Sequence, residues 1–340
     1  MHGEFTPIES GIGGLLVGIS AASVLIVHGR VAGISGILSG LRTARGADFV
    51  WRALFLAGLV LGAFLNGALN PRAELPTLPA RSVARYVTAG VLVGAGTKLG
   101  NGCTSGHGVC GLARGSRRSL AAVLTFMAVG AAATTAINIA QPPLGGPPAA
   151  WSVAPLRVHD AAHHAPAIAL AVVAGLLALT AQAGHSQLNA VLSGVTFGMG
   201  LAISGMSYAD KVSGFLDVGC FAGPWDPSLA CVMGGGLIGS TLGYQYSLRL
   251  PSPVLAPKFA LPTRRDVDFR LVFGSALFGA GWALGGMCPG PALANLMLPA
   301  FGVDITHTGM PFVAAMAAAA AATEIALPAE GAASSKAKKH

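Results

Sequence analysis

GAGTKLGNGCTSG, residues 94–106, and GAGWALGGMCPGP, residues 279–291, are two versions of one motif. In each version an apolar segment runs through glycines to a cysteine, Cys103 or Cys288, and small residues or prolines follow. Interrupted hydrophobic helices that occur as a pair in two matching halves of a chain are typical of substrate sites in membrane transporters. The duplicated motif therefore predicts a membrane protein with an internal repeat, and transport is the leading functional hypothesis.

The composition is that of an integral membrane protein. Of 340 residues, 53% are hydrophobic and 10% are charged, and there are 48 glycines, far from the averages of soluble domains. The formal net charge is +8, but no basic stripe with interleaved aromatic residues indicates a nucleic-acid partner. The five cysteines lack the spacing of a secreted disulfide framework and are interpreted as free thiols. No nucleotide-binding or metalloprotease motif is present, so the sequence predicts no cofactor and no ATP-driven pumping.

Nine apolar stretches approach the roughly 20 residues that a membrane-spanning helix needs. They lie at residues 12–28, 50–69, 86–100, 119–140, 165–182, 188–206, 228–248, 270–286 and 310–327. Four shorter, glycine-rich segments between them are too brief to cross a bilayer and predict re-entrant half-helices. These segments are residues 31–41, 101–113, 212–219 and 288–297. Irregular backbone at membrane depth must be buried in protein or line a cavity, so the four breaks predict a central constriction.

A weak repeat relates the two halves of the chain. Residues 29–34 (GRVAGI) resemble residues 210–215 (DKVSGF), in the same order relative to the cysteine motifs. Lys and Arg collect in cytoplasmic loops, and the basic loops 42–52 and 114–118 correspond to second-half loops that lack Lys and Arg. We therefore predict inverted repeats in an all-α protein of the plasma (inner) membrane, with the N-terminus outside and the C-terminus in the cytoplasm.

The same pattern predicts the division of the chain. The parts are a first transmembrane repeat at 1–140, an extracytoplasmic linker at 141–164, a second transmembrane repeat at 165–328 and a disordered basic cytoplasmic tail at 329–340. No Lys or Arg precedes the first apolar stretch, so we expect that stretch to be retained rather than cleaved as a signal peptide. His159 and His163 in the linker have a spacing that suits a metal on a helix. The proline-rich sequence before them favours an irregular loop, so no metal site is predicted.

The two motif cysteines are expected where half-helices begin. The first turn of a helix exposes unpaired N–H groups and the positive end of the helix dipole, which favour an anion or a thiolate. Cys288 precedes Pro289, and proline is preferred in a first helical turn. A thiol in such a place has a lowered pKa and is a weak donor that suits a soft anion. The sequence thus predicts a sulfur-containing anion as substrate.

Further polar residues lie near the motifs. Arg30, Lys98 and Lys211 at the motif edges are candidates for steering an anion, although each could instead extend to the membrane interface. His107 follows Cys103 closely enough for a thiolate–imidazole pair or a proton relay, and a hydrogen-bonded interior histidine is the alternative. The three cysteines outside the duplicated motif are interpreted as packing residues. They are Cys110, Cys220 and Cys231.

Residues 100–108 (GNGCTSGHG) and 286–292 (GMCPGPA) resemble the two signature segments of the YeeE/YedE family of membrane sulfur-compound transporters. The resemblance covers nearly the whole chain, including residues 29–36 and 205–217. It implies uptake of thiosulfate through inverted repeats that form an hourglass, with cysteine thiols relaying the anion by S–H hydrogen bonds. The path residues it implies are Cys103, Cys288, Gly102, Thr104, Ser105, Ser35, Pro289 and Gly290.

One residue departs from the family pattern. The members that take up thiosulfate carry a third path cysteine near the start of the chain, and Ser35 stands in the corresponding region here. A serine hydroxyl is a harder hydrogen-bond donor than a thiol, so the substitution would shift preference toward another anion.

Two further functions remain open from the sequence. A membrane-embedded sulfurtransferase would hold the outer sulfur of the anion as a cysteine persulfide and pass it to a soluble partner. That chemistry needs an activated thiolate, whereas a carrier needs only donors, so we favour a transporter that is not an enzyme. Its partners would be the sulfur anion, the lipid bilayer and a soluble sulfur-carrier protein at the cytoplasmic face. A water or small-solute channel would instead be indifferent to thiol-blocking reagents.

Overall fold

A computed structural model describes residues 5–69, 79, 81–140, 177 and 179–327, and these residues form helices joined by loops, without a strand. The long helices are α1 (Pro7–His28), α3 (Gly46–Leu69), α4 (Val83–Leu99), α5 (Arg117–Ala140), α6 (Ser186–Ile203), α8 (Ser228–Ser247), α9 (Phe269–Gly285) and α11 (Gly309–Ala326). The short ones are α2 (Ile34–Gly40), a π-helix (Thr104–Gly111), α7 (Ala209–Leu216) and α10 (Pro289–Ala294), which continues as a 3₁₀-helix (Asn295–Phe301).

Eight of the nine predicted apolar stretches coincide with these long helices, to within five residues at each end. The ninth, residues 165–182, lies mostly outside the described residues, as do the linker and the tail. Helices tend to start earlier than the apolar pattern indicates. Helix α1 begins at Pro7 and carries Glu9 in its first turn, because proline and acidic residues stabilise a helix start without adding hydrophobicity.

A short helix lies at each of the four predicted breaks. The third, α7, is displaced from the prediction: it begins at Ala209 and ends at Leu216. The Asp217 carboxylate accepts hydrogen bonds from the N–H groups of Phe221 and Ala222, at 3.2 and 2.7 Å. These bonds close a turn directly after Leu216, so the helix ends there.

Five of the long helices have the length and apolar character to cross a membrane, namely α1, α3, α5, α6 and α11. A sixth candidate is the broken pair formed by α9 and the segment from Pro289 to Phe301, which is bent by 45°. Of the remaining long helices in the described residues, α4 has 17 residues, and α8 carries Ser, Thr, Tyr and Gln among its glycines. Length and composition therefore support an integral membrane protein with five or six candidate spans among the described residues. The number nine stays a prediction.

Each long helix that leads into a short helix is followed by one residue with a positive φ. These residues are Gly29 (66°), Asn101 (58°), Gly205 (74°) and Gly286 (69°). Glycine adopts this left-handed conformation without strain, and asparagine does so more readily than most residues. The chain can therefore leave the axis of the long helix within a few residues and start a new helix at a different angle.

The long helices pack in two groups of four, and each group takes two helices from each half of the chain. One group has the order α8, α1, α6, α3, and the other has the order α11, α4, α9, α5. Glycines allow the close approach: a Cβ on Gly198 of α6 would lie 1.9 Å from the carbonyl oxygen of Leu59 in α3. Small residues at such contacts are a general feature of membrane helix packing.

The central helices of each group run antiparallel. In α1 and α6, Ser10 donates a hydrogen bond to the Ser204 carbonyl at 3.2 Å, and Ser20 donates to the Ser193 carbonyl at 2.6 Å. The facing pairs in α4 and α9 are Gly100 with Gly274, Leu92 with Gly281 and Ala89 with Gly285. The two helices in each of these pairs, one from each half of the chain, therefore point in opposite directions.

Candidate functional site

The two motif cysteines have the same local structure. Cys103 directly precedes the π-helix and Cys288 directly precedes α10, both in extended backbone with φ of −128° and −110°. Each cysteine comes two residues after a left-handed residue, Asn101 or Gly286. The cysteines are 1% and 4% exposed. The two copies of the motif therefore share the same backbone conformation at the cysteine.

Hydroxyl groups next to the cysteines join the two halves. The Thr104 hydroxyl donates a hydrogen bond to the Cys288 sulfur at 3.3 Å, and the Cys103 sulfur lies 3.3 Å from the Ser105 hydroxyl. The Ser105 oxygen also accepts the Ile34 N–H at 3.1 Å. One buried cluster therefore contains a thiol from each half and the first residue of α2.

Small residues let the short helices meet around this cluster. A Cβ on Gly33 would lie 3.4 Å from the Gly106 Cα, and a Cβ on Gly290 would lie 3.8 Å from the Ile34 side chain. Pro289 is the first residue of α10. The path residues suggested by the family resemblance thus lie at or near the junction of α2, the π-helix and α10.

A cavity of about 480 Å³ reaches this junction, a volume in the range of small-molecule sites. Ser35, Gly102 and Gly106 line it where it approaches the backbone around Cys103. Five arginines line it too, and no carboxylate does so in the part of the chain that the structure describes. The arginines are Arg30, Arg52, Arg114, Arg118 and Arg264. Fixed positive charge around a partly enclosed space attracts anions.

Two of these arginines are held by one carboxylate behind the cavity wall. Arg30 and Arg52 both pair with Asp48, and the Arg52 Nε to Asp48 Oδ2 distance is 3.1 Å. Arg52 also donates to the Gly36 carbonyl of α2 at 2.9 Å, and the Arg30 guanidinium lies 5.1 Å from the centre of the Trp51 ring. These contacts connect α2 to α3 and fix both guanidinium groups at the edge of the cavity.

Two more arginines are held from the loop that precedes α9. Arg118 and Arg264 pair with Asp268, at 2.9 and 3.0 Å, and Arg264 pairs with Asp266 at 2.6 Å. Asp268 also accepts the Leu271 N–H at the start of α9. Its carboxylate therefore connects the start of α5, the loop and the start of α9.

His107 is a hydrogen-bonded interior histidine. Its Nε2 lies 3.0 Å from the Gly100 carbonyl, and its Nδ1 lies 3.1 Å from the Ser119 hydroxyl. A carbonyl only accepts, so we assign the hydrogen to Nε2 and let Ser119 donate to Nδ1. A Cβ on Gly102 would lie 2.7 Å from this ring. The two ring nitrogens are thus occupied by groups other than the Cys103 thiol.

The three candidate steering residues lie in different places. Arg30 lines the cavity. Lys98 pairs with Glu324 at 3.3 Å. Lys211 is 4% exposed and lies 3.8 Å from Asp226. The structure therefore brings Arg30 to the cavity, whereas Lys98 and Lys211 are held elsewhere.

All five cysteines are free thiols. Cys110 is buried, Cys220 is exposed and Cys231 is half-buried. No group of three or more His, Cys, Asp or Glu side chains among the described residues is placed to hold a metal. His159 and His163 lie outside the described residues.

Of the five arginines that line the cavity, the sequence selected only Arg30 as a site residue and missed Arg52, Arg114, Arg118 and Arg264. Arg52, Arg114 and Arg118 carried a signal, because they belong to the basic loops 42–52 and 114–118 that indicate the cytoplasmic side. The same charges line the cavity. A basic loop next to a predicted break was therefore also evidence for an anion site.

Comparison with known proteins gives the class. Residues 6–133 match the family model described as Sulphur transport, and residues 186–333 match a family of unknown function, DUF6691. A protein of Xylella fastidiosa strain Temecula1 named "Probable transporter" is 44% identical over 129 residues, which are 38% of this chain and 82% of that protein. Another of the same strain and name is 41% identical over 130 residues, 38% of this chain and 94% of that protein.

The protein is a membrane transporter. This class follows from its apolar helices, from the buried junction between its short helices and from these relatives. The chain belongs to the YeeE/YedE family of membrane sulfur-compound transporters.

Proposed function

We propose that this protein takes up thiosulfate or a related sulfur-containing anion along a central path that includes the Cys103 and Cys288 thiols. The observation that supports this most strongly is the position of the two buried thiols. They share one cluster, joined by Thr104 and Ser105, next to a cavity lined by five arginines. The match to a sulphur-transport family supports a sulfur compound as the cargo.

The hydroxyl contacts suggest how the thiols act. Because the Thr104 hydroxyl donates to the Cys288 sulfur, the S–H hydrogen of Cys288 remains available to a passing anion. The Ser105 hydroxyl lies 3.3 Å from the Cys103 sulfur and would orient that thiol, with either group as the donor. Thiols are weak, polarizable donors, so they would bind a soft anion without holding it tightly. Gly102 and Ser35 would continue the path into the cavity, while Pro289 and Gly290 shape its wall beside Cys288.

We propose that residues 1–140 and 165–328 form inverted repeats in an hourglass arrangement, joined by an outer linker at 141–164. The antiparallel packing of α1 with α6 and of α4 with α9 supports this, because inverted repeats place corresponding helices in opposite directions across the membrane. The short helices would be re-entrant and meet at the constriction.

The arginine-lined cavity would open to the cytoplasm of a cell whose plasma (inner) membrane holds the protein. Arg52, Arg114 and Arg118 belong to the loops 42–52 and 114–118, which the distribution of basic residues assigns to that side. The N-terminus would then lie outside, and the basic tail, residues 329–340, would lie in the cytoplasm.

A membrane-embedded sulfurtransferase is the alternative function. It needs a base or a cation beside the reactive thiol, and His107 is instead occupied by Gly100 and Ser119. The relatives' name, probable transporter, also favours transport. A soluble sulfur-carrier protein at the cytoplasmic face would be a partner in either case.

Uptake of thiosulfate labelled at its outer sulfur, measured in vesicles with purified protein, tests the proposal. Wild type is compared with Cys103→Ser, Cys288→Ser and the control Cys231→Ser, which replaces a half-buried cysteine outside the motifs. We expect uptake to collapse in the first two variants and to persist in the control, with no stable label on the protein.

Other results of this experiment would support other functions. Label retained on one motif cysteine would favour the sulfurtransferase. Unchanged uptake in both motif variants, together with indifference to thiol-blocking reagents, would contradict the thiol path and favour a channel.

A further inference from the structure

Arg114 differs from the other arginines that line the cavity. Asp48 pairs with Arg30 and Arg52, and carboxylates of the loop before α9 pair with Arg118 and Arg264. Arg114 has no carboxylate partner among the residues that the structure describes. Its positive charge is therefore the least compensated of the five.

The hydrogen-bond donors of Arg114 are also poorly used. Its Nη1 makes one contact, to the Pro262 carbonyl at 3.5 Å, which is at the limit for a hydrogen bond. Its Nε is buried and has no partner. The Arg114 side chain as a whole is half-buried, but a buried donor such as Nε is costly without an acceptor. The geometry is that of a guanidinium whose acceptor comes from outside the chain.

Other donors line the same cavity. They include the Asn101 amide and the Ser116 hydroxyl, both from the segments that flank the π-helix. The Ser35 hydroxyl also lines the cavity, and it is buried without a partner in the described residues. No carboxylate is found among the described residues that line the cavity, so none competes with an anion for these donors. An oxyanion in the cavity would therefore meet one guanidinium without a carboxylate partner and several neutral donors.

We propose that Arg114 is the principal ligand of a second anion station in this cavity, separate from the thiols. The ligand is a small inorganic oxyanion such as thiosulfate or sulfate, since a guanidinium binds two oxygens of such an anion side by side. The role of this station as the resting place of the cargo before release rests on the proposed function. The four paired arginines hold the wall in place, and Arg114 supplies the charge that binds.

Arg114→Gln is the variant that tests this, and Arg117→Gln is its matched control. Arg117 is exposed, belongs to the same basic segment and does not line the cavity, so the control removes an equal charge from the same region. Arg114→Lys keeps the charge and removes the fork of donors. Equilibrium binding of labelled sulfate and of labelled thiosulfate to purified protein is measured for all three. Half-saturating concentrations for thiosulfate flux are measured separately from each face of oriented vesicles.

Arg114→Gln is expected to weaken binding of both anions by about tenfold or more, the effect of losing a charged hydrogen bond. Arg114→Lys should fall between this variant and wild type, and Arg117→Gln should bind as wild type does. The half-saturating concentration should rise at the face with the cavity and stay near the wild-type value at the opposite face. Binding by Arg114→Gln that equals that of the Arg117→Gln control would overturn the inference.

The experiment separates this inference from the proposed function. Thiosulfate transport that depends on the two motif cysteines but not on Arg114 would overturn the station and leave the thiol path intact. Sulfate binding that depends on Arg114, in a protein that transports no thiosulfate, would support the station and contradict the proposed cargo. A wild-type protein that binds neither anion would overturn both.

Discussion

Thr104 Oγ1 donates a hydrogen bond to Cys288 Sγ over 3.3 Å, and this bond joins the two halves of the chain at their duplicated motif. Both motif cysteines take part in this contact: Cys103 directly precedes Thr104 in the chain, and Cys288 accepts the hydrogen bond. Thr104 is 5% exposed, and the bond is therefore shielded from water. It fixes the orientation of the Cys288 thiol, on which the proposed path depends.

Thr104→Val, which keeps the shape and removes the donor, should reduce uptake roughly fivefold and stability by about 1 kcal/mol, the usual value of one hydrogen bond. Thr97→Val is the matched control, because the Thr97 hydroxyl donates only to the Gly94 carbonyl within α4. Vesicle uptake and thermal unfolding are measured on both variants. Equal uptake in the two would mean that the bond to Cys288 does not orient a working thiol.

Gly198→Ala should destabilise the protein by about 1–3 kcal/mol, the usual cost of overpacking. The added Cβ would meet the Leu59 carbonyl oxygen at 1.9 Å, so α3 and α6 would have to separate. Gly234→Ala in α8 is the control, since a Cβ there meets nothing within 4 Å and alanine favours a helix by about 1 kcal/mol over glycine. Unfolding temperatures in one detergent compare them, and a stabilised Gly198→Ala would contradict the close packing.

Asp268→Asn should lower the free energy of unfolding by about 1.5–3 kcal/mol, since hydrogen bonds to charged groups have this value. The variant weakens the contact with Arg118, whose side chain is 7% exposed, and leaves that cation in a buried place. Asp304→Asn is the control, because the Asp304 carboxylate bonds only within its own exposed turn, to Thr306. A loss no greater than in the control would show that the Asp268 network contributes little.

The same pair gives a pH dependence. Burial alone would raise the pKa of Asp268, but the hydrogen bond and the charge of Arg118 hold that pKa below its ordinary value. A carboxylate with a depressed pKa in the folded state stabilises the fold above its unfolded pKa, and that stabilisation is lost as pH falls through the folded pKa. The stability difference between wild type and Asp268→Asn should therefore shrink below about pH 4, near the ordinary pKa of aspartate. A difference that is constant down to pH 3 would contradict this.

The helices could be read from the sequence because their signals are local. Apolar runs and the glycines and prolines between them placed both the long helices and the short ones within a few residues. The start of a short helix at Cys103 and at Cys288 was also predicted, from the glycines and prolines around both cysteines. Only the ends were displaced, where polar residues such as Asp217 make turns.

Long-range ion pairs could not be read in this way. Arg118 and Asp268 pair across 150 residues of chain, and nothing in either local sequence selects the other. Lys211 lies in a repeat motif as Arg30 does, yet it is buried near Asp226 while Arg30 lines the cavity. Which cation is neutralised is decided by packing between helices, so the uncompensated charge on Arg114 emerged only with the fold.

Ser35→Cys tests whether the residue at the cavity end of the proposed path sets the preference among anions. The Ser35 hydroxyl is buried, has no partner in the described residues and lines the cavity, so a thiol can replace it without breaking a hydrogen bond. The family members that take up thiosulfate carry a cysteine in this region. A thiol is a softer donor than a hydroxyl, and it should favour the soft outer sulfur of thiosulfate over sulfate.

We therefore expect the ratio of thiosulfate uptake to sulfate uptake to rise severalfold in Ser35→Cys. Ser39→Cys is the control, because Ser39 belongs to the same short helix but does not line the cavity. Both ratios are measured in vesicles at equal protein content, with and without a thiol-blocking reagent. The reagent should abolish the gain in Ser35→Cys if the new thiol contacts the anion. A ratio that stays at the wild-type value in both variants would place the choice of anion at Cys103 and Cys288 instead of at Ser35.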